Sequence, residues 1–127
     1  MYRTAILALA LALAAPARAA DARIIVQQSP LAGFQYYEGK ALWDMMRVGD
    51  TLRLVREPRN PHDANAVRVE WRGEMLGYVP RRENGDVARQ MDRGAPVRAR
   101  IVQLKTARNP WQRIEFEVYV DLAAATP

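Results

Sequence analysis

"LVREPRNPHDANAVRVEW", residues 54–71, places two alternating hydrophobic segments either side of a loop that is too rich to be a plain turn. A minimal hairpin needs two to five connecting residues and one Asn-Gly or similar pair. This connection spends Arg56, Glu57, Arg59, Asn60, His62, Asp63 and Asn65 around Pro58 and Pro61. To its left, Thr51 to Arg56 alternates Leu52 and Leu54 with Arg53 and Arg56; to its right, Ala66 to Trp71 alternates Val67, Val69 and Trp71 with Arg68 and Glu70. Period-two alternation is the mark of half-buried strands. The stretch therefore reads as two strands of a β domain joined by a loop that carries chemistry.

Working outward, the same alternation recurs. Arg23 to Gln28, Glu74 to Val79, Val97 to Leu104 and Ile114 to Asp121 all read as strands, and Phe34 to Tyr37 (FQYY) reads as a further short one after the Ser29-Pro30 break. The close Arg72-Gly73 connection predicts a hairpin between the segments that flank it. Two helices interrupt the series. Asn84 suits an N-cap, Val87 and Met91 share a face, and Gly94 suits the left-handed position after a helix, so Gly85 to Arg93 is expected to be helical. Lys40 to Arg47 is expected as a second short helix with Leu42, Met45 and Met46 on one side. The fold class is mainly β with two short helices, a small barrel of six or seven strands.

The N-terminus has a different character. Arg3 is a positive start, Ala5 to Ala15 is an apolar run, and Ala17-Arg18-Ala19 has small residues at both positions of a cleavage site. Residues 1–19 are thus expected to be a signal peptide, and the protein exported, periplasmic or secreted. Eleven apolar residues fall short of the roughly 20 that cross a bilayer, so no membrane attachment is expected after cleavage. A lipoprotein anchor needs a cysteine, and the chain has none. Residues 20–127 then form a single domain. Loss of Arg3 and Arg18 takes the formal net charge from +5 to +3, a mildly basic balance that does not by itself announce nucleic acid.

Composition also limits the chemistry. Without cysteine and with one histidine, the sequence offers neither the activated nucleophiles of covalent catalysis nor a zinc site of thiolates or clustered imidazoles. The seven glycines are separate punctuators rather than a phosphate-cradling loop. No enzymatic activity, metal or cofactor is expected. Binding is better supported. "GFQYYEG", residues 33–39, sets two tyrosines side by side; in a strand one would fill the core and the other offer its ring outside. Such rings stack on unpaired bases. In the 54–71 loop, Asn60 is pushed extended by Pro61, and Asp63 and Asn65 can close Asx turns. That leaves Arg56, Arg59, Asn60 and His62 as donors around one carboxylate. Asp63 repels a phosphate but accepts a hydrogen bond from a hydroxyl, so the loop suits a chain end better than a continuing chain.

The ordered set GxxYYxG, L-x-REPxNPxDxNA and LGYxP, spread over about Ile24 to Val120, resembles the HIRAN domain family. The resemblance implies an OB-like barrel that binds single-stranded DNA and grips its 3′-hydroxyl end. It implies that Tyr36 and Tyr37 lie against terminal bases, that Asp63 takes the 3′-hydroxyl, and that Asn60 and His62 shape the pocket. Tyr78 and Arg81 would follow on the rim, with Trp111 as a further stacking ring. Two positions depart from the family's DNA-gripping members: Gln35 stands where they carry Arg, and His62 where they tend to have Tyr. Three readings stay open: a single-stranded DNA module, an exported barrel that recognises a peptide, glycan or envelope protein, and a cytoplasmic chain with a different start. The A-x-A site counts against the third.

Overall fold

The computed structural model describes residues 22–122, so the expected signal peptide lies outside the described residues. Six antiparallel strands form one sheet: β1 (Arg23–Pro30), β2 (Thr51–Arg56), β3 (Val67–Trp71), β4 (Glu74–Tyr78), β5 (Val97–Leu104) and β6 (Ile114–Asp121), in the order β1-β6-β5-β2-β3-β4. Strand β2 is where the sheet folds over. Thr51 and Leu52 pair with Arg100 and Ala99 on β5, while Arg53 to Arg56 pair with Glu70 to Val67 on β3. The two ends of the order meet at one bridge, where the Ala32 and Tyr78 backbones exchange hydrogen bonds of 2.9 Å in both directions. Gly77 permits this approach, because a Cβ there would lie 2.1 Å from the Ala32 carbonyl oxygen.

The alternation seen in the sequence is the alternation of burial. Leu52, Val67, Val69, Trp71, Ala99, Ile101, Ile114, Phe116 and Val118 form the core, with Arg53, Arg98 and Glu74 outside. At the Arg72-Gly73 connection both residues have positive φ, 47° and 83°, the type I′ geometry that matches strand twist. The expected hairpin is present.

Several expectations are corrected. Phe34 to Tyr37 is not a strand: Phe34–Tyr36 is a 3-10 turn, which brings the strand count to six. Gly33, at φ 80°, reverses the chain, and the Tyr36 amide donates to the Gly33 carbonyl at 2.9 Å. It is Phe34 that enters the core, edge-on to Trp43 at 5.7 Å. The expected division between one buried and one exposed tyrosine fails with the strand; Tyr36 is 76% exposed and Tyr37 37%. The Lys40 to Arg47 helix is also shorter than expected. It comprises α1 (Gly39–Leu42) and a 3-10 turn over Trp43–Met45, after which Met46 extends into the core and leaves Met45 outside.

Helix α2 (Asn84–Asp92) ends as expected, with Gly94 at φ 79° and its amide donating to the Met91 carbonyl. Its start differs. Asn84 lies inside the first turn and makes no capping bond, since its side chain is engaged elsewhere.

Candidate nucleic-acid interface

The loop between β2 and β3 is a staircase of three β-turns. The Asn60 amide donates to the Glu57 carbonyl, Asp63 to Asn60, and Ala66 to Asp63, at 3.0, 3.3 and 3.1 Å. Pro58 and Pro61 occupy the second position of the first two turns, where a fixed φ is favourable. Asn60 and Asp63 stand at the head of their turns and accept from backbone amides two residues on: Asn60 Oδ1 from His62 and Asp63 Oδ1 from Asn65, both at 2.9 Å. The Asx turns therefore belong to Asn60 and Asp63 rather than to Asp63 and Asn65. Short-range bonding explains the period-three pattern E-P-R, N-P-H, D-A-N.

Longer-range bonds fix the loop against the barrel. Arg56 is consumed here: its Nε and Nη2 fork onto Asp92, at 2.9 and 3.1 Å, while Nη1 donates to the Ala64 and Ala66 carbonyls. This hydrogen bond holds the Asp92 carboxyl below its ordinary range. Arg56 is thus a clamp between loop and helix, not the free donor expected from the sequence. Glu57 Oε1 accepts from both Asn60 Nδ2 (3.0 Å) and the Tyr78 hydroxyl (2.8 Å), while Arg68 pairs with the other oxygen at 3.3 Å. Burial pushes the Tyr78 phenol up to about 12, with the bond to Glu57 adding to the shift. Asp63 Oδ2 accepts from Asn84 Nδ2 at 2.7 Å.

Asn60, Asp63, Tyr78 and Asn84, fixed by these bonds, line a cleft of about 330 Å³. Asn60, His62 and Asp63 form one wall; Tyr37, Tyr78 and Trp111 supply three rings; Arg81 and Asn84 come from the chain after β4. Tyr37 meets Tyr78 edge-on at 6.0 Å. Trp111, 43% exposed, sits in a 3-10 turn (Pro110–Gln112) fixed by Asn109, whose side chain accepts from the Trp111 amide. Of the nine residues singled out in the sequence, the cleft gathers Tyr37, Asn60, His62, Asp63, Tyr78, Arg81 and Trp111. Gln35 and Tyr36 stand outside it on the exposed 3-10 turn.

Two contributors escaped sequence reasoning. Asn84, 3% exposed, looked like a helix cap, a role that hid its bond to a carboxylate 21 residues away. Glu57 looked like loop polarity, although its place at the head of a turn, where Asp or Asn is usual, was a signal for a longer acidic reach.

Asp63 is half-buried and spends one oxygen on a main-chain amide and one on a side-chain amide. A carboxylate has about four acceptor positions, so it keeps capacity for a further donor. His62 and Arg81 are exposed, and neither side chain makes a hydrogen bond or ion pair with the described residues. Among the described residues no cluster could hold a metal, and no helix is long and apolar enough to cross a membrane.

Comparison with known proteins agrees with this fold. A HIRAN domain profile matches residues 24–123. The chain belongs to the HIRAN domain family. Two solved structures resemble this HIRAN domain. A protein from Lactobacillus plantarum is 27% identical with a TM-score of 0.68, covering 78% of this chain and 95% of its own. The HIRAN domain of human HLTF is 21% identical with a TM-score of 0.58, covering 80% of this chain and 85% of its own. The latter likeness shows the fold, an OB-like β domain. No curated protein matches the chain.

Proposed function

We propose that this HIRAN domain is a non-catalytic module for nucleic acid, binding single-stranded DNA by its 3′-hydroxyl end. The observation that carries the reading is the setting of Asp63. It faces a cleft with three aromatic rings, is held by Asn65 and Asn84, and retains acceptor capacity. A terminal hydroxyl donates to such a group, whereas a phosphate in the same place is repelled. Tyr37 and Trp111 offer faces for unpaired bases, each stack contributing about 1–3 kcal/mol. Arg81 and His62 lie on the rim, where the last phosphodiester would pass. The expected signal peptide makes the ligand extracellular or periplasmic DNA.

The test is a titration of the protein lacking residues 1–19 with a labelled strand ending in a 3′-hydroxyl, and with the same strand ending in a 3′-phosphate, at two salt concentrations. The hydroxyl end binds more tightly, Asp63→Ala abolishes the preference, and affinity falls as salt rises. Equal affinity for both ends removes end recognition; absence of binding at low salt removes DNA. A second reading, an exported barrel for a peptide, glycan or envelope protein, draws on Gln35, an uncharged side chain on the turn beside the cleft. Cell fractionation for the processed chain tests the compartment.

A further inference from the structure

A second cleft, of about 210 Å³, opens on the far side of the aromatic turns. Phe34 and Trp43 form its apolar base, and Lys40, Asp44 and Arg113 are its charged lining. Arg113 is already oriented. Its Nε donates to the Ala107 carbonyl at 2.7 Å and its guanidinium lies 5.0 Å from the centre of the Phe34 ring, which leaves the two terminal nitrogens without a partner among the described residues. Lys40 is exposed, and its ammonium has no partner there either. Two cations against one carboxylate leave the lining net positive, in contrast to the Asp63 cleft, where the acid is central.

The two clefts share their dividing wall. The turn at residues 34–36 packs on the turn at residues 110–112; Phe34 and Arg113 face one cleft, Tyr37 and Trp111 the other. Tyr36 stands on this ridge, 76% exposed and lining neither. A ring so open contributes little to the core, and its sequence neighbours divide between the clefts, Phe34 to one and Tyr37 to the other. We infer that a strand with its 3′ end at Asp63 crosses this ridge over Tyr36 and sets its upstream phosphates against Lys40 and Arg113. This inference rests on the end-binding reading and adds a direction: the 5′ side runs toward Lys40.

The experiment uses oligothymidylates of increasing length, each with a 5′ label and a free 3′-hydroxyl, titrated into the protein and its Lys40→Glu and Lys40→Gln variants. Affinity of the unaltered protein rises about tenfold between a dinucleotide and a hexanucleotide, the scale of one added stack. Lys40→Glu removes that gain and flattens the salt dependence for the hexanucleotide, by about 0.7 in slope for each phosphate no longer neutralised. Lys40→Gln has a smaller effect of the same kind, and the dinucleotide is unaffected by either. Length-independent binding overturns the inference and leaves end recognition intact. So does a Lys40→Glu loss equal at all lengths, which marks a general field rather than a local contact. Failure of every strand to bind overturns both.

Discussion

The wall of the Asp63 cleft built by residues 57–65 and the wall built by the two aromatic turns differ in what fixes them. In the first, the side chains that meet the cleft are tied, His62 excepted: Asn60 to Glu57 and Asp63 to Asn84, with Glu57 also holding the Tyr78 hydroxyl and the turns themselves stacked by backbone bonds. In the second, Tyr37 and Trp111 are exposed: Tyr37 makes an edge-on ring contact with Tyr78, and Trp111 is held through its backbone amide by Asn109. Under the proposed function the difference separates two tasks. A hydrogen-bonding group must be aimed to within a few tenths of an ångström to discriminate one chain end from another. A stacking ring tolerates lateral shift and needs no such aim.

That contrast can be broken at its strongest point first. Phe34 is the sole core anchor of the 34–36 turn, so Phe34→Ala costs about 3–5 kcal/mol of stability, read by urea denaturation, and takes the aromatic wall with it. Asp63→Ala acts on the other wall. It strips the buried Asn84 amide of its partner, a loss of about 1–3 kcal/mol, detected as a lowered thermal midpoint; Asp63→Asn loses less stability but still loses the preference for a hydroxyl end.

The pinned wall also has a spectroscopic reporter. The neutral Tyr78 phenol is the form favoured in the folded protein, since burial and then the Glu57 bond raise it to about 12. Its contribution to stability is complete below the ordinary value near 10 and is lost as pH rises through about 12. In an ultraviolet titration of tyrosinate, one phenol ionises last; Glu57→Gln brings that step down toward 10 without reaching it, because burial, the larger cause, remains. The smallest effect on stability belongs to the exposed ridge between the two clefts. Tyr36→Ala changes the unfolding free energy by less than about 0.5 kcal/mol, while affinity for a hexanucleotide falls about tenfold.

Much of the fold was legible because the information was local. The bounds of β2, β5 and β6 follow from alternation alone, since each residue's side of the sheet depends only on parity. Phe34 to Tyr37 was misread because four residues carry too little period to separate a strand from a 3-10 turn, and the outcome depended on whether Phe34 found a place in the core. In the site, the Pro- and Asx-rich loop announced itself, but the assignment of partners did not. Arg56 reads as a free cation until Asp92 is brought beside it by the helix, 36 residues on. Asn84 reads as a cap until the chain returns it to Asp63. Which donors remain available for a ligand is a tertiary property, decided by the bonds already made.

The bridge between Ala32 and Tyr78 has one more consequence. Both residues line the Asp63 cleft, so the cleft straddles the seam where the first and last strands of the spatial order are stitched together. A ligand seated there acts as a clasp across the seam. Its occupancy should slow amide exchange at Ala32 and Tyr78, and no fragment lacking either margin could retain the surface.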